Sequence, residues 1–244
     1  MKYSFAILIL YTGTAYAQDK KVTSGNQQWV QYYNETRLSN KWTLMADGGF
    51  RWKDGFETSS QYIVRAGAGY TINPAIRVGA GFAHLGFYAS GHINKVEFRP
   101  YQELSIKNKY HKLGISHRLR VEERFFNPVT NGAIQSSNTF NFRFRYSFMT
   151  NIPLFRLSKT NGGKVVSLSL GDEIFINAGK DIVYNVFDQN RFIISPTISF
   201  NKDLSLSLTW NNQFAANPAP SSYTYTNVIW LQVRHTLAIN HKKN

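Results

Sequence analysis

Residues 42–53 read Trp42-Thr43-Leu44-Met45-Ala46-Asp47-Gly48-Gly49-Phe50-Arg51-Trp52-Lys53. The even positions, Trp42, Leu44, Ala46, Gly48, Phe50 and Trp52, are apolar or small, while Thr43, Asp47, Arg51 and Lys53 make the odd face polar. Successive side chains of a strand point to opposite faces, so this period of two predicts a β-strand between two unlike environments.

The same alternation recurs along the chain. Tyr62, Val64, Ala66, Ala68, Tyr70 and Ile72 face away from Gln61, Arg65 and Thr71; Phe140, Phe142, Phe144, Tyr146 and Phe148 face away from Asn141, Arg143, Arg145 and Ser147. Leu204, Leu206, Leu208 and Trp210 stand against Ser205, Ser207, Thr209 and Asn211. A soluble sandwich alternates too, but here the polar face carries arginine strand after strand. A broad apolar exterior around a polar interior predicts an all-β fold, an antiparallel transmembrane β-barrel with an Arg-rich lumen. Runs of about ten residues match the roughly 9 to 11 that cross a bilayer at a tilt.

Eleven such runs are expected: 29–38, 42–53, 61–72, 76–85, 95–107, 113–125, 138–150, 165–177, 189–200, 204–213 and 223–239. Bacterial barrels have even strand numbers, so residues 20–28 are expected to add a short first strand, making about 12, with ten as the alternative. Short connections at 39–41, 73–75, 108–112 and 201–203 alternate with longer ones at 54–60, 86–94, 127–137, 178–188 and 212–222, which places the long loops together at one rim.

The N-terminus reads as a signal peptide over 1–17: Lys2, an apolar stretch from Phe5 to Leu10, and the small-residue site Ala15-Tyr16-Ala17. The barrel domain then occupies 18–244, and the expected location is the cell outer membrane. Although 43% of the 244 residues are hydrophobic, beyond residue 17 no apolar run reaches the roughly 20 residues of a spanning helix. Cysteine is absent, which excludes a disulfide framework and thiolate metal sites.

The balance of 28 Lys and Arg against 14 Asp and Glu gives a net charge of +14. Most of the excess falls on the polar face, away from the aromatics, which argues against nucleic-acid binding, where basic and stacking groups share a surface. The expected lumen charge network comprises Glu97, Arg99, Glu103, Arg118, Arg120, Glu122, Arg124, Arg143, Arg145, Glu173 and Arg191. Such residues either select small anions or brace the interior by Arg–Glu hydrogen bonds that largely plug it. Sliding 95–107 past 113–125 in even steps makes three pairs attractive at one alignment: Glu103 opposite Arg118, Arg99 opposite Glu122, and Glu97 opposite Arg124, with 109–112 as a four-residue loop.

No catalytic or metal-binding constellation stands out. His84, His92, His111, His117, His235 and His241 are scattered, Gly-x-Ser-x-Gly is absent, and His117 and Ser116 point to opposite faces of one strand. The glycines Gly67, Gly69, Gly79 and Gly81 recur at period two inside strands, where they allow close packing of the wall, and Asn161-Gly162-Gly163 signals a turn.

Several stretches resemble the outer-membrane family catalogued as domain of unknown function 2490. The likeness lies in His117-Arg118-Leu119-Arg120-Val121-Glu122-Glu123-Arg124-Phe125, in Asp172-Glu173-Ile174-Phe175-Ile176-Asn177, and in Phe187-Asp188-Gln189-Asn190-Arg191-Phe192, together with Trp29 and Arg51. It spans nearly the whole mature chain in order. Pro100 and the charged tail His241-Lys242-Lys243-Asn244 depart from the pattern. The resemblance implies an outer-membrane barrel and no particular activity.

Three functional expectations follow: an anion-preferring pore or binding barrel for a small solute, a closed structural barrel with functional loops, or a barrel-rim lipid-modifying enzyme. The first has no catalytic residues and no cofactor. The expected partners are outer-membrane lipid, the barrel-assembly machinery and a small anionic solute.

Overall fold

A computed structural model describes residues 20–137, 139–157 and 164–239. The signal segment 1–17, the Asn161-Gly162-Gly163 turn and the tail 241–244 lie outside the described residues. Twelve strands run in chain order: β1 Lys21–Arg37, β2 Trp42–Lys53, β3 Thr58–Asn73, β4 Ile76–Ala89, β5 His92–Tyr110, β6 Leu113–Thr130, β7 Ala133–Ile134, β8 Thr139–Arg156, β9 Val165–Ala178, β10 Phe187–Ser199, β11 Leu204–Ala216 and β12 Ser222–Ala238. Among the described residues there is no helix.

Each long strand pairs antiparallel with its neighbours in sequence, β5 and β6 included, while the two-residue β7 forms a small hairpin on the end of β6, leaving β6 to pair with β8. The wall therefore has eleven strands and β7 stands outside it. Residues 21–28 do not form a separate strand but continue β1. An odd number of up-and-down strands makes the first and last run the same way, so the barrel closes through a parallel β1–β12 ladder from Lys21 opposite Ser222 to Arg37 opposite Ala238.

The strands run past the ends of their apolar alternation, which removes most of the expected asymmetry in loop length. Residues 86–94, read from sequence as a long loop, hold only the two-residue turn Ser90-Gly91, with φ of 49° and 79°, as the tight hairpin turn that follows strand twist requires. Residues 127–137 contain the equivalent Asn131-Gly132 turn. Backbone pairing continues where the side chains stop alternating, so periodicity marks the apolar belt and not the strand ends.

The two faces are inverted relative to a soluble protein. Val64, Leu44, Leu119, Phe144 and Leu208 are exposed on the outside, while Glu97 and Glu122 are wholly buried within. Polar side chains on the outer face pair with one another across neighbouring strands: Tyr62 with His84 at 3.2 Å, Tyr32 with His235 and His117 with Tyr146 at 2.9 Å, Gln102 with Glu123 at 3.2 Å, Asn190 with Asp172 at 2.7 Å, and Asn212 with Asn227 at 3.0 Å. The inner wall owes its close packing in part to glycine. A Cβ on Gly81 would stand 2.5 Å from both the Tyr101 Oη and the Ala66 carbonyl oxygen, and one on Gly67 2.9 Å from the same Oη, so the two glycines form the bed on which the Tyr101 ring lies.

Candidate functional site: the arginine-lined lumen

The inward faces of β5, β6, β8, β9 and β10 carry the charges that alternation turned inside. β5 and β6 meet around the two-residue turn His111-Lys112, so that Glu103 lies opposite Arg120, Tyr101 opposite Glu122, Ser105 opposite Arg118 and Glu97 opposite Phe126. The expected pairs Glu103–Arg118, Arg99–Glu122 and Glu97–Arg124 are therefore not direct neighbours; the true alignment lies two residues further on. The shorter turn decides, with His111 adopting a φ of 52°, and parity is kept because only even slips leave the apolar face outside.

Attraction is recovered along one diagonal, along β5 itself and across the one directly opposed pair. Arg124 donates to both oxygens of Glu97, at 2.7 and 3.3 Å, and Arg99 Nε donates to Glu97 at 2.6 Å. Arg120 donates twice to Glu103 Oε2, at 3.0 and 2.6 Å. Arg118 leaves its neighbour on β5 and reaches Glu173 on β9, at 2.7 Å.

Glu122 is the hub. Arg143 Nε donates to one oxygen and Arg145 Nη1 to the other, both at 2.7 Å, while Arg99 and Arg120 stand 3.7 and 3.8 Å away. Arg145 also donates to Glu173, at 2.7 and 3.1 Å, and Arg143 to Asp188, at 3.0 Å. The fully buried Phe175 ring lies beneath Arg143, Arg145 and Arg191, at 5.2, 4.4 and 4.6 Å. A buried ionic network is tolerable only when its donors and acceptors are matched, and this one nearly is; Arg120 Nη1 lacks a hydrogen bond. A smaller brace joins Arg65 to Asp47 at 2.9 Å, and Gln31 to the same carboxylate at 2.6 Å. Arg77 reaches Glu35 at 3.2 Å.

Three lumen arginines are held differently. Arg51 donates to Gln61, Arg191 to Gln213 and Arg234 to Gln232, each at 2.7 Å. Each also lies over an aromatic ring of β1: Arg51 and Arg191 over Trp29, at 3.8 and 5.4 Å, and Arg234 over Tyr33, at 4.4 Å. Among the described residues their nearest carboxylate contact is Arg191 to Glu173, at 3.9 Å. Of the three, only Arg191 belongs to the expected charge network. The glutamine and aromatic partners escaped sequence reading because neither residue type signals a cation's position without the register.

Between these groups runs a cavity of about 810 Å³, lined from Phe87 and Asp188 through Arg99 and Arg145 to Asn201 and Asp203 in the turn before β11. Its lining holds eleven arginines and two lysines against six carboxylates. Serine and threonine form one wall: Ser195, Thr197 and Ser199 on β10 facing Ser205 and Ser207 on β11. Among the described residues no cluster of His, Asp and Glu could hold a metal ion. His117 faces outward, and its ring nitrogen is engaged by Tyr146 Oη.

The segments that carried the family resemblance converge here. His117–Phe125 supplies Arg118, Arg120, Glu122 and Arg124; 172–177 supplies Glu173, Phe175 and Asn177; 187–192 supplies Asp188 and Arg191; Trp29 and Arg51 are in contact. Comparison with curated proteins and with solved structures finds no match. The family model described as "Protein of unknown function (DUF2490)" matches residues 26–224, and the chain belongs to that family.

Proposed function

We propose that this chain is a β-barrel of the outer membrane, exported by segment 1–17, inserted with the barrel-assembly machinery and surrounded by lipid, whose narrow lumen admits small anions. The observation that carries the reading is the imbalance of charge along the cavity, thirteen cationic side chains against the six carboxylates of the lining and two more, Glu97 and Glu122, buried behind its arginines, inside a wall whose outer face is mostly apolar. Two further features support it. Six pairs of outward polar side chains are hydrogen-bonded across neighbouring strands, as groups facing hydrocarbon must be and groups facing water need not. The cavity is crossed by the arginines and carboxylates of the ionic network, which suits a selective passage and not a wide general pore.

The braced arginines and the unbraced ones have separate tasks in this reading. Those on β5, β6 and β8 hold the wall through Glu97, Glu122 and Glu173, while the surplus sets the sign of the lumen. No reaction is assigned to it. Single-channel recording of the refolded chain in planar bilayers tests the proposal: under a potassium chloride gradient the reversal potential should take the sign of an anion-preferring pore. Cation preference, or bilayers that stay silent with folded protein inserted, overturns it.

A further inference from the structure

We infer that the side of the lumen around β1 is a binding site for a phosphate group carried by a small polyhydroxylated solute, with Arg51 and Arg191 beside Trp29 as the phosphate ligands and Arg234 as a second station. The inference rests on the anion-admitting lumen above and names its substrate class.

Every other arginine of the lumen has a carboxylate within 3.2 Å. Among the described residues Arg51 and Arg234 have none, and Arg191 has the 3.9 Å approach to Glu173. All three are nevertheless fixed, each by a glutamine oxygen and a ring of β1. A neutral acceptor and an aromatic face orient a guanidinium without neutralising it; they leave most of the five N–H donors of Arg51 and Arg234 for something else, while Arg191, whose Nη2 also donates to Gln189 at 2.9 Å, keeps its Nη1 donors. Arg51 Nε is buried and has no partner at all. A charge held in a cavity without a counter-ion is costly, and two planar guanidinium forks sharing one indole suit a tetrahedral oxyanion better than a spherical halide.

The surroundings specify the rest of the ligand. β11 and β12 contain no carboxylate; they and β10 present Ser195, Thr197, Ser205, Ser207 and Gln232 toward the same space. Several of these hydroxyls already pair with each other, Ser195 with Thr209 at 2.6 Å and Thr197 with Ser207 at 2.8 Å, which preorganises them as mixed donors and acceptors. Such a wall matches the hydroxyls of a sugar-like body, which an inorganic anion or an alkyl carboxylate lacks.

The test is calorimetric titration of the full refolded chain in detergent with inorganic phosphate, glucose 6-phosphate and glucose, folding being checked by the heat-modifiable gel mobility of the closed barrel. Glucose 6-phosphate should bind more tightly than phosphate, and glucose should not bind. Arg51→Gln and Arg191→Gln should each weaken glucose 6-phosphate binding at least ten-fold, Arg51→Lys should restore part of the loss, and removing one charge at the exposed Lys53 (Lys53→Gln) should change nothing. Should Arg51→Gln not fold, Arg234→Gln, outside the buried ion-pair network, still predicts weaker binding. Absence of phosphate binding to the folded wild type, or equal affinities across the variants, overturns the site. Glucose 6-phosphate binding no tighter than phosphate overturns the hydroxyl wall's part in it. Phosphate binding in a barrel that carries no current would sustain the site while removing the passage reading, and anion-selective current without phosphate binding would do the reverse.

Discussion

Replacing Glu122 by glutamine tests whether the ionic network braces the barrel. The carboxylate is fully buried and accepts from Arg143 and Arg145 at 2.7 Å, with two more guanidinium groups within 3.8 Å. Glutamine keeps the shape but turns one acceptor oxygen into a donor that faces N–H groups. Removing one partner of a buried ion pair costs about 3 to 5 kcal/mol. The structure places this case near the lower bound, because no arginine is left alone: Arg143 keeps Asp188, Arg145 keeps Glu173, Arg99 keeps Glu97 and Arg120 keeps Glu103. Glu122→Gln should therefore lose about 3 kcal/mol in a urea titration of reversible folding into phosphatidylcholine vesicles, followed by tryptophan fluorescence. Adding Arg143→Gln should lose less than the sum of the single changes, with a coupling of about 1 to 3 kcal/mol, since the second change removes the donor that the first left facing a donor. A single-variant loss below about 1 kcal/mol, or strict additivity, would refute the brace.

The remaining expectations use the same titration. Gly81→Ala forces a methyl to within 2.5 Å of the Ala66 carbonyl oxygen and Tyr101 Oη and should cost about 1 to 3 kcal/mol, whereas Gly25→Ala, with nothing within 4 Å, should be neutral; similar values for both would contradict the packing of Tyr101. Phe144→Arg, on the exposed face of β8, should cost about 2 to 4 kcal/mol in a bilayer, and a negligible change would argue against lipid contact there. Asn212→Ala leaves Asn227 without its 3.0 Å partner and should cost about 1 kcal/mol, most of it recovered when Asn227→Ala is added; no recovery would mean that the pair is solvated.

The all-β class and the inside-out distribution of side chains were legible in 42–53 and its repeats because alternation reports directly which face meets which environment. Strand ends were not, since Phe87, Tyr88 and His92 pair in the ladder without continuing the apolar pattern. Register was the harder problem. A slip of two residues keeps every side chain on its own face, so parity removes half of the alignments and charge must choose among the rest. Direct opposition was the wrong criterion: long guanidinium side chains reach diagonally, Arg124 to Glu97 and Arg118 past β8 to Glu173, so an alignment with one directly opposed ion pair satisfies as many carboxylates as one with three. The network's members were readable as residue types. Their partners were not, because Gln61, Gln213 and Trp29 acquire meaning only once three separate strands converge.

The odd strand number ties the architecture to the site. A parallel ladder is slightly weaker per residue than an antiparallel one and has no hairpin to set its register, so β1 and β12 need side chains to fix their alignment. Trp29 lies directly opposite Trp230 in that ladder, with ring centroids 5.2 Å apart and edge to face, and Tyr33 packs tilted against Trp230 at 6.4 Å. Large inward aromatics, Trp29, Tyr33 and Trp230, occupy the middle of the seam in place of the Arg–Glu pairs that brace the other side of the barrel, and the carboxylate of β1, Glu35, lies beyond them with Arg77. They offer ring faces instead, and the arginines that reach this side from β2, β10 and β12 settle on those faces and donate to glutamine oxygens. The uncompensated charge of the lumen thus gathers around Trp29 and Tyr33, where the rings that lock the parallel closure take the positions that carboxylates hold elsewhere on the wall.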